Sequence, residues 1–251
     1  MKRRFVFILA IVIGSFSYAQ TANELFSKAN DFYKNGQYTK AAQLYSNIEK
    51  TGLESDDLFF NLGNSYYKLN KVAPSIYYYE KALKLNPMHQ DALNNLAFAK
   101  RMTIDVIEDL PKTFLQRFSS TVIQKLTYDT WAIVAVSSSF LAAFLFLLYY
   151  FSSSPKKKIF YFNFTIFAVF VMAVTVFFAY SNYNVTQKRS SAIVFSQKVD
   201  IKNSPSIDGE PVFELHEGTK VTILDELSDW RKIKLADGKI GWVNMADIKE
   251  I

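Results

Sequence analysis

Three kinds of hydrophobic pattern follow one another along the chain. From Ala22 to about residue 100 apolar positions recur at helical spacing; from Trp131 to Tyr180 two apolar runs are separated by a short polar stretch; from Ala192 apolar and polar residues alternate in short segments. These patterns predict amphipathic helices, two fully apolar helices and a set of short strands, in that order. The runs WAIVAVSSSFLAAFLFLLYYF (131–151) and IFYFNFTIFAVFVMAVTVFFAY (159–180) contain no Asp, Glu, Lys, Arg or His. As helices each extends about 30 Å, the thickness of a bilayer's hydrocarbon core, so both are expected to be transmembrane.

The connection between them, residues 152–158, reads SSSPKKK. Basic residues in a short loop remain on the cytoplasmic side, so Lys156, Lys157 and Lys158 set the topology and place both flanking parts of the chain outside the cytoplasm. Tyr128 and Trp131, Tyr149 and Tyr150, and Tyr180 and Tyr183 stand where interfacial aromatic belts form. The start agrees: MKRR, the apolar FVFILAIVIG and small residues at Ser17 and Ala19 predict a secretory signal over 1–19 with cleavage after Ala19. Within the spans Asn163, Ser137 to Ser139, Thr165 and Thr175 offer no ionisable group at mid-depth, so a transport path is not expected.

Between residues 22 and 110 similar segments return at an offset of 34: 22–55, 56–89 and a partial 90–110. The second segment, FFNLGNSYYKLNKVAPSIYYYEKALKLNP, carries Phe59, Leu62, Gly63, Tyr66, Tyr79, Ala82 and Pro87 and closely resembles a tetratricopeptide repeat. Small residues at Ala29, Gly63 and Ala97 are expected to let paired helices approach closely, and Pro87 ends a unit. About three units are usually needed for a stable stack, so these two and a half need cover at their open end, and the helical module with its cover is expected over 20–127. The segment 111–127, with Phe114, Leu115, Phe118, Val122, Ile123 and Leu126 opposite Lys112, Arg117 and Lys125, fits a cap over the last repeat; lying flat in the outer membrane interface is the alternative.

Such arrays bind extended peptides on the concave face of their first helices. In this register that face carries Phe26, Asn30, Tyr33 and Lys34, then Phe60, Asn64, Tyr67 and Lys68, then Asn94 and Arg101. Asn can bond a peptide backbone, Tyr can cover apolar surface and Lys can meet acids; the competing explanation is repeat ancestry alone. Relatives that capture a C-terminal carboxylate carry a clamp, whose two asparagines match Asn30 and Asn61. Phe26, Asp91 and Asn95 stand where its cations would be, so carboxylate capture is not expected.

After the spans, short β runs are separated by SPSIDGEP, HEG and ADGK, with Asp237-Gly238 a strong hairpin signal. The Leu-His-Glu-Gly-Thr turn, Asp229-Trp230 and Gly241-Trp242-Val243 resemble a bacterial SH3 domain over 190–251, expected as a small closed all-β barrel. That resemblance implies binding of cell-wall peptides or protein segments without catalysis. Trp230 and Trp242 are the groove candidates; core packing competes for both and is favoured for Trp242.

Composition removes other classes. Of 29 basic residues, six lie in Lys2, Arg3, Arg4 and the three loop lysines, and the remainder balance the 23 acids. The net charge of +6 therefore reports topology rather than a nucleic-acid surface. No cysteine and two distant histidines, His89 and His216, point to no disulfide, metal, cofactor or catalytic residue. Together, secretion signal, tetratricopeptide solenoid, two-helix hairpin and SH3-like barrel resemble the BatE family of the Bacteroides aerotolerance system. The resemblance implies a noncatalytic protein of the bacterial inner membrane with both soluble modules in the periplasm. Its implied partners are MoxR-type ATPases and membrane proteins with von Willebrand factor A domains; peptidoglycan is the alternative ligand.

Overall fold

The computed structural model describes residues 22–188 and 190–251. The expected signal peptide, 1–19, lies outside the described residues. Five helices form the first half: α1 (22–34), α2 (Tyr38–Lys50), α3 (Asp56–Lys68), α4 (Val72–Leu85) and α5 (Gln90–Lys100). α1 pairs with α2 and α3 with α4, while α5 packs on α4 without a following partner. The turns inside the two pairs need a left-handed residue, supplied by Gly36 (φ 73°) and, 34 positions later, by Asn70 (φ 57°). Ser55 caps α3 by accepting from Leu58 N at 3.1 Å, with Asp56 and Asp57 in the first turn where carboxylates are favoured.

Small residues set the helix spacing, but only where a pair exists. A Cβ on Gly63 would lie 2.6 Å from the ring of Tyr79, and Ala29, one repeat earlier, is completely buried. Ala97 is exposed, contrary to its expected role, because α5 has no second helix to approach. Larger core residues fill the pairs: Tyr45, Phe59, Leu62, Ile76 and Tyr79 are essentially inaccessible.

The chain then passes over residues 102–113 to α6 (Phe114–Thr121), a 3-10 turn at Ile123–Lys125, α7 (Tyr128–Phe151) and α8 (Pro155–Lys188). α7 and α8 are antiparallel neighbours, long and apolar enough to cross a membrane. Their connection is shorter than the seven residues expected: only Ser152–Ser154 are non-helical, and Lys156, Lys157 and Lys158 occupy the first turn of α8. α6 itself has no buried residue, although Lys125, Leu126 and Thr127 of the expected 111–127 cap line a cavity with Leu85–Met88 of the repeats.

The C-terminal sheet packs on α4, while Leu93, Ala97 and Phe98 of α5 stay exposed. Its strands are β1 (Ser191–Val194), β2 (Lys198–Lys202), β3 (Pro211–His216), β4 (Lys220–Leu227), β5 (Trp230–Lys234), β6 (Ile240–Asn244) and β7 (Ile248–Glu250). All pair antiparallel in the order β3-β2-β6-β5-β4-β1-β7. The expected closed barrel is not formed: no ladder joins β3 to β7, and both are edges. Exposed edges are hazardous in isolation, yet here the helical half meets each of them. The ammonium of Lys249 on β7 sits 4.3 Å from the centre of the Tyr77 ring, and His216 at the end of β3 donates its backbone N–H to Asp105 Oδ2 at 2.7 Å. The Asp237-Gly238 hairpin between β5 and β6 forms as expected, with Gly238 at φ 96°.

Sheet and repeats have separate apolar cores that exchange residues. Ile193 of β1 is fully buried among the repeat residues, and Phe195 meets Tyr77 edge-on at 5.7 Å; conversely Ile107, beyond α5, packs into the sheet's own core around Val194, Ile201, Val221, Ile233 and Val243. The contact has an ionic centre. Glu80 on α4 accepts from Lys220 Nζ at 2.6 Å and lies 3.4 Å from Lys100 Nζ. Burial alone pushes this carboxyl up, but the two ammonium groups outweigh it and hold it below the ordinary glutamate range.

The 34-residue correspondence explains why the sheet docks on the second repeat. Ile76, Tyr77 and Glu80 correspond to Ala42, Gln43 and Ser46, and Lys100 and Thr103 to Tyr66 and Leu69. In the first repeat these positions line an open groove of about 200 Å³. Only the second offers a branched apolar residue, an aromatic ring and a carboxylate at those places, and so provides both apolar area and a counter-charge for Lys220.

Candidate functional site

Two open surfaces of the joined modules carry the expected site residues. The first is the concave face of the repeats, where Tyr33, Asn64, Tyr67, Lys68, Asn95 and Phe98 line a cleft of about 280 Å³. Its floor is a hydrogen-bond pattern that repeats at 34 residues. Tyr45 Oη donates to Asn30 Oδ1 at 2.5 Å, and Tyr79 Oη donates to Asn64 Oδ1 at 2.7 Å. Asn61 Nδ2 reaches the same Asn30 oxygen at 3.3 Å, and Asn95 Nδ2 reaches Asn64 Oδ1 at 2.8 Å.

Asn30 and Asn64, 34 residues apart, thus each have the side-chain oxygen occupied by two internal donors, which fixes the amide plane and leaves the NH₂ group for another acceptor. The phenols that do this are strongly buried. Burial, then the Tyr33 phenol, raises both Tyr45 and Tyr79 well above the ordinary tyrosine value, so they remain donors at any physiological pH.

The ten expected concave residues do not all share the cleft. Tyr33, Asn64, Tyr67 and Lys68 line it; Asn30 belongs to the hydrogen-bonded floor one repeat earlier. Phe26 is turned edge-on to Tyr45 at 5.6 Å, and Phe60 lies 4.7 Å from the His89 ring, so both are partly buried in packing. Lys34 and Asn94 are exposed outside the cleft, and Arg101 lies over Phe98 at 5.2 Å. Phe98 and Asn95 complete the lining and were not among the ten. Counting by 34 finds both: Phe98 stands where Asn30 and Asn64 stand, and Asn95 where Asn61 stands.

The second surface is the outer face of the sheet. Gly241 and Val243 point into the core, so Trp242 between them faces outward; it is half-buried and absent from the core, against the competing expectation. Trp230 is likewise half-buried and lies diagonally opposite, since Lys232 pairs with Trp242 and Trp230 with Asn244. Lys202 Nζ lies 5.6 Å from the Trp230 ring and Lys232 Nζ 5.8 Å from the Trp242 ring. Two indoles and two ammonium groups on one open face suit a ligand with a flat or apolar part and a carboxylate. His89 serves as a helix cap, accepting from Ala92 N at 3.3 Å, and His216 is bonded to Asp105, so neither belongs to these surfaces.

Comparison with known proteins agrees with the two modules. The tetratricopeptide repeat family model matches residues 57–89, and the bacterial SH3 domain model matches residues 198–249. No curated protein sequence matches the chain. Among solved structures, the chain is similar to the first tetratricopeptide domain of Spaghetti (RPAP3) bound to the HSP90 peptide SRMEEVD. Identity is 25% and the TM-score 0.32, over 33% of this chain and 66% of that one.

Proposed function

We propose that this chain is a noncatalytic scaffold of the bacterial inner membrane, which holds an extended, acidic segment of a partner protein in its repeat cleft. The observation that carries this reading is the cleft itself: two tyrosines, a phenylalanine, a lysine and an amide whose orientation is fixed from behind. Matches to two interaction modules agree with it. A photo-crosslinking amino acid at Tyr67 in intact cells should trap a protein; recovery of uncrosslinked chain alone would remove the reading.

In this proposal α7 and α8 span the membrane once each, and the three lysines at the start of α8 remain in the cytoplasm. The antiparallel hairpin returns the chain to the side it left, and the docked modules must share a side, which supports a common periplasmic placement. The module order favours an envelope-stress complex of the aerotolerance type, with MoxR-type ATPases and von Willebrand factor A membrane proteins as partners. Because the chain lacks cysteine, single cysteines at Leu53, Ser153 and Met245 test the topology. A membrane-impermeant maleimide applied to spheroplasts should label 53 and 245 and spare 153.

The outer face of the sheet favours a second reading, a sensor of peptidoglycan stem peptides. Retention of the full-length protein on purified sacculi, lost in Trp230→Ala and Trp242→Ala, is its expected result; retention unchanged by both substitutions discards it.

A further inference from the structure

Among the described residues, helix α6 and its C-cap Val122 present an apolar strip that is left largely exposed. Phe114 is 82% exposed, Leu115 76%, Phe118 41% and Val122 37%. At about 100° per residue these four fall within one arc of roughly 100°, with Gln116, Arg117, Ser119, Ser120 and Thr121 around the rest. The helix is well started: Thr113 and Gln116 form a reciprocal capping box, Thr113 Oγ1 accepting from Gln116 N at 3.3 Å and Gln116 Oε1 from Thr113 N at 2.9 Å.

Its height is fixed against the hairpin. Phe118 meets Phe178 at 6.3 Å between ring centres, and Phe178, in the last turn of the second apolar run, meets Trp131 at 5.0 Å. Trp131 Nε1 donates to Ile123 O at 2.9 Å, and the buried Asn182 donates Nδ2 to Leu126 O at 2.6 Å. α6 is therefore tied to the level at which both apolar runs end, where Tyr128 and Tyr183 also meet. Among the described residues no carboxylate pairs with Lys112 or Arg117.

We infer that α6 lies flat in the outer headgroup layer, its Phe114–Leu115–Phe118–Val122 strip in the acyl boundary and Lys112 and Arg117 against lipid phosphates. This rests on the hairpin spanning the membrane and adds to it a second, lateral attachment. The uncovered strip is continuous with the lipid-facing surface of α8 through Phe118 and Phe178, and the basic residues complement an anionic surface. Such an attachment would hold the platform's tilt, since a two-helix stalk alone leaves it free to lean.

The natural absence of cysteine makes the test direct. A nitroxide on Leu115→Cys, in the full chain in nanodiscs of phosphatidylethanolamine and phosphatidylglycerol, should collide with oxygen and lose collision with an aqueous nickel complex. Phe170→Cys, mid-way along α8, reports the hairpin, and Leu53→Cys reports open solvent. A label at 115 that matches 53 while the label at 170 is shielded overturns the α6 inference and leaves the span intact; a label at 170 open to nickel overturns the span itself. Spin–spin broadening at 115 would put a second copy on the strip and also overturn it. Arg117→Glu should restore nickel collision at 115 in the anionic discs, and no change there removes the phosphate contact.

Discussion

Lys220 on β4 donates to Glu80 on α4 across 2.6 Å, although 140 residues of chain, including the whole apolar hairpin, separate them. The two partners are not equivalent. The Glu80 side chain is only 10% exposed, whereas that of Lys220 is 40% exposed. Removing the lysine strands a buried carboxylate with one remaining cation at 3.4 Å, while removing the carboxylate leaves two lysines that water can reach. Lys220→Met should therefore cost about 3 kcal/mol of stability, and Glu80→Gln about 1.5 kcal/mol, the low end for a hydrogen bond to a charged group because both lysines keep access to water. Equal losses in chemical denaturation would contradict this asymmetry.

Acid should separate the modules before it unfolds the repeats. Glu80 and Asp105 both lie below their ordinary values in the folded protein. For Asp105, burial raises the carboxyl, but the bonds from Thr219 and from the backbone and ring of His216 outweigh it. A depressed carboxylate contributes stability that is complete above its unfolded pKa and is lost as pH falls through the folded one. The hydrogen-exchange protection factor at Ile193, with the intrinsic pH dependence of exchange divided out, should be high at neutral pH and fall only below the ordinary carboxylate range. Glu80→Gln with Asp105→Asn should flatten that dependence, and an unchanged profile in the double variant would show that other groups control it.

Gly218 offers a purely steric test of the same joint. It has φ 89°, and a Cβ there would stand 2.8 Å from Thr103 Cγ2 and 3.0 Å from Ile76 Cδ1. Gly36 has a similar φ of 73° with open space around it. Gly36→Ala should carry only the left-handed strain, about 1 kcal/mol, whereas Gly218→Ala carries that strain plus the clash. Faster exchange at Ile193 in Gly218→Ala alone is the expected result; identical behaviour of both variants would show that the joint absorbs a methyl group freely.

The parts of this architecture that were readable in the sequence are those written in local periodicity. The two uncharged runs, the 34-residue register and the Asp237-Gly238 turn each declare themselves within a few dozen residues. The joint could not be read in that way, because Glu80 with Lys220 and Asp105 with His216 pair across more than a hundred residues, and neither partner is unusual in its own segment. The sheet's open edges follow from the same cause: a barrel closed on itself was expected because nothing local shows that α4 would meet β7 and Asp105 the end of β3. Within the cleft, Phe98 was accessible to simple counting, since it replaces the asparagine of the first two repeats.

The phenol-to-amide bonds beneath the cleft predict a coupling. Tyr79→Phe removes the donor to Asn64 Oδ1 without touching the cleft surface and should cost about 1 kcal/mol. Combined with Asn64→Ala, the losses should be less than additive, because either change alone already breaks the bond. Strict additivity in a double-mutant cycle would mean that Tyr79 does not orient the amide, and the fixed-donor view of the cleft would fall with it.

The parity of β6 separates the two roles open to its tryptophan. Val243 is fully buried in the sheet core while Trp242, one residue earlier, is half-exposed beside Lys232. Truncating a buried aliphatic residue leaves a cavity, so Val243→Ala should cost about 2 kcal/mol. Trp242→Ala removes outward area against a lysine stem and should cost less than about 1 kcal/mol, near a single surface cation–π contact. A loss that small would be consistent with a binding face. If Trp242→Ala instead destabilises the protein more than Val243→Ala does, the indole supports the sheet, and the outer face loses its claim to a ligand.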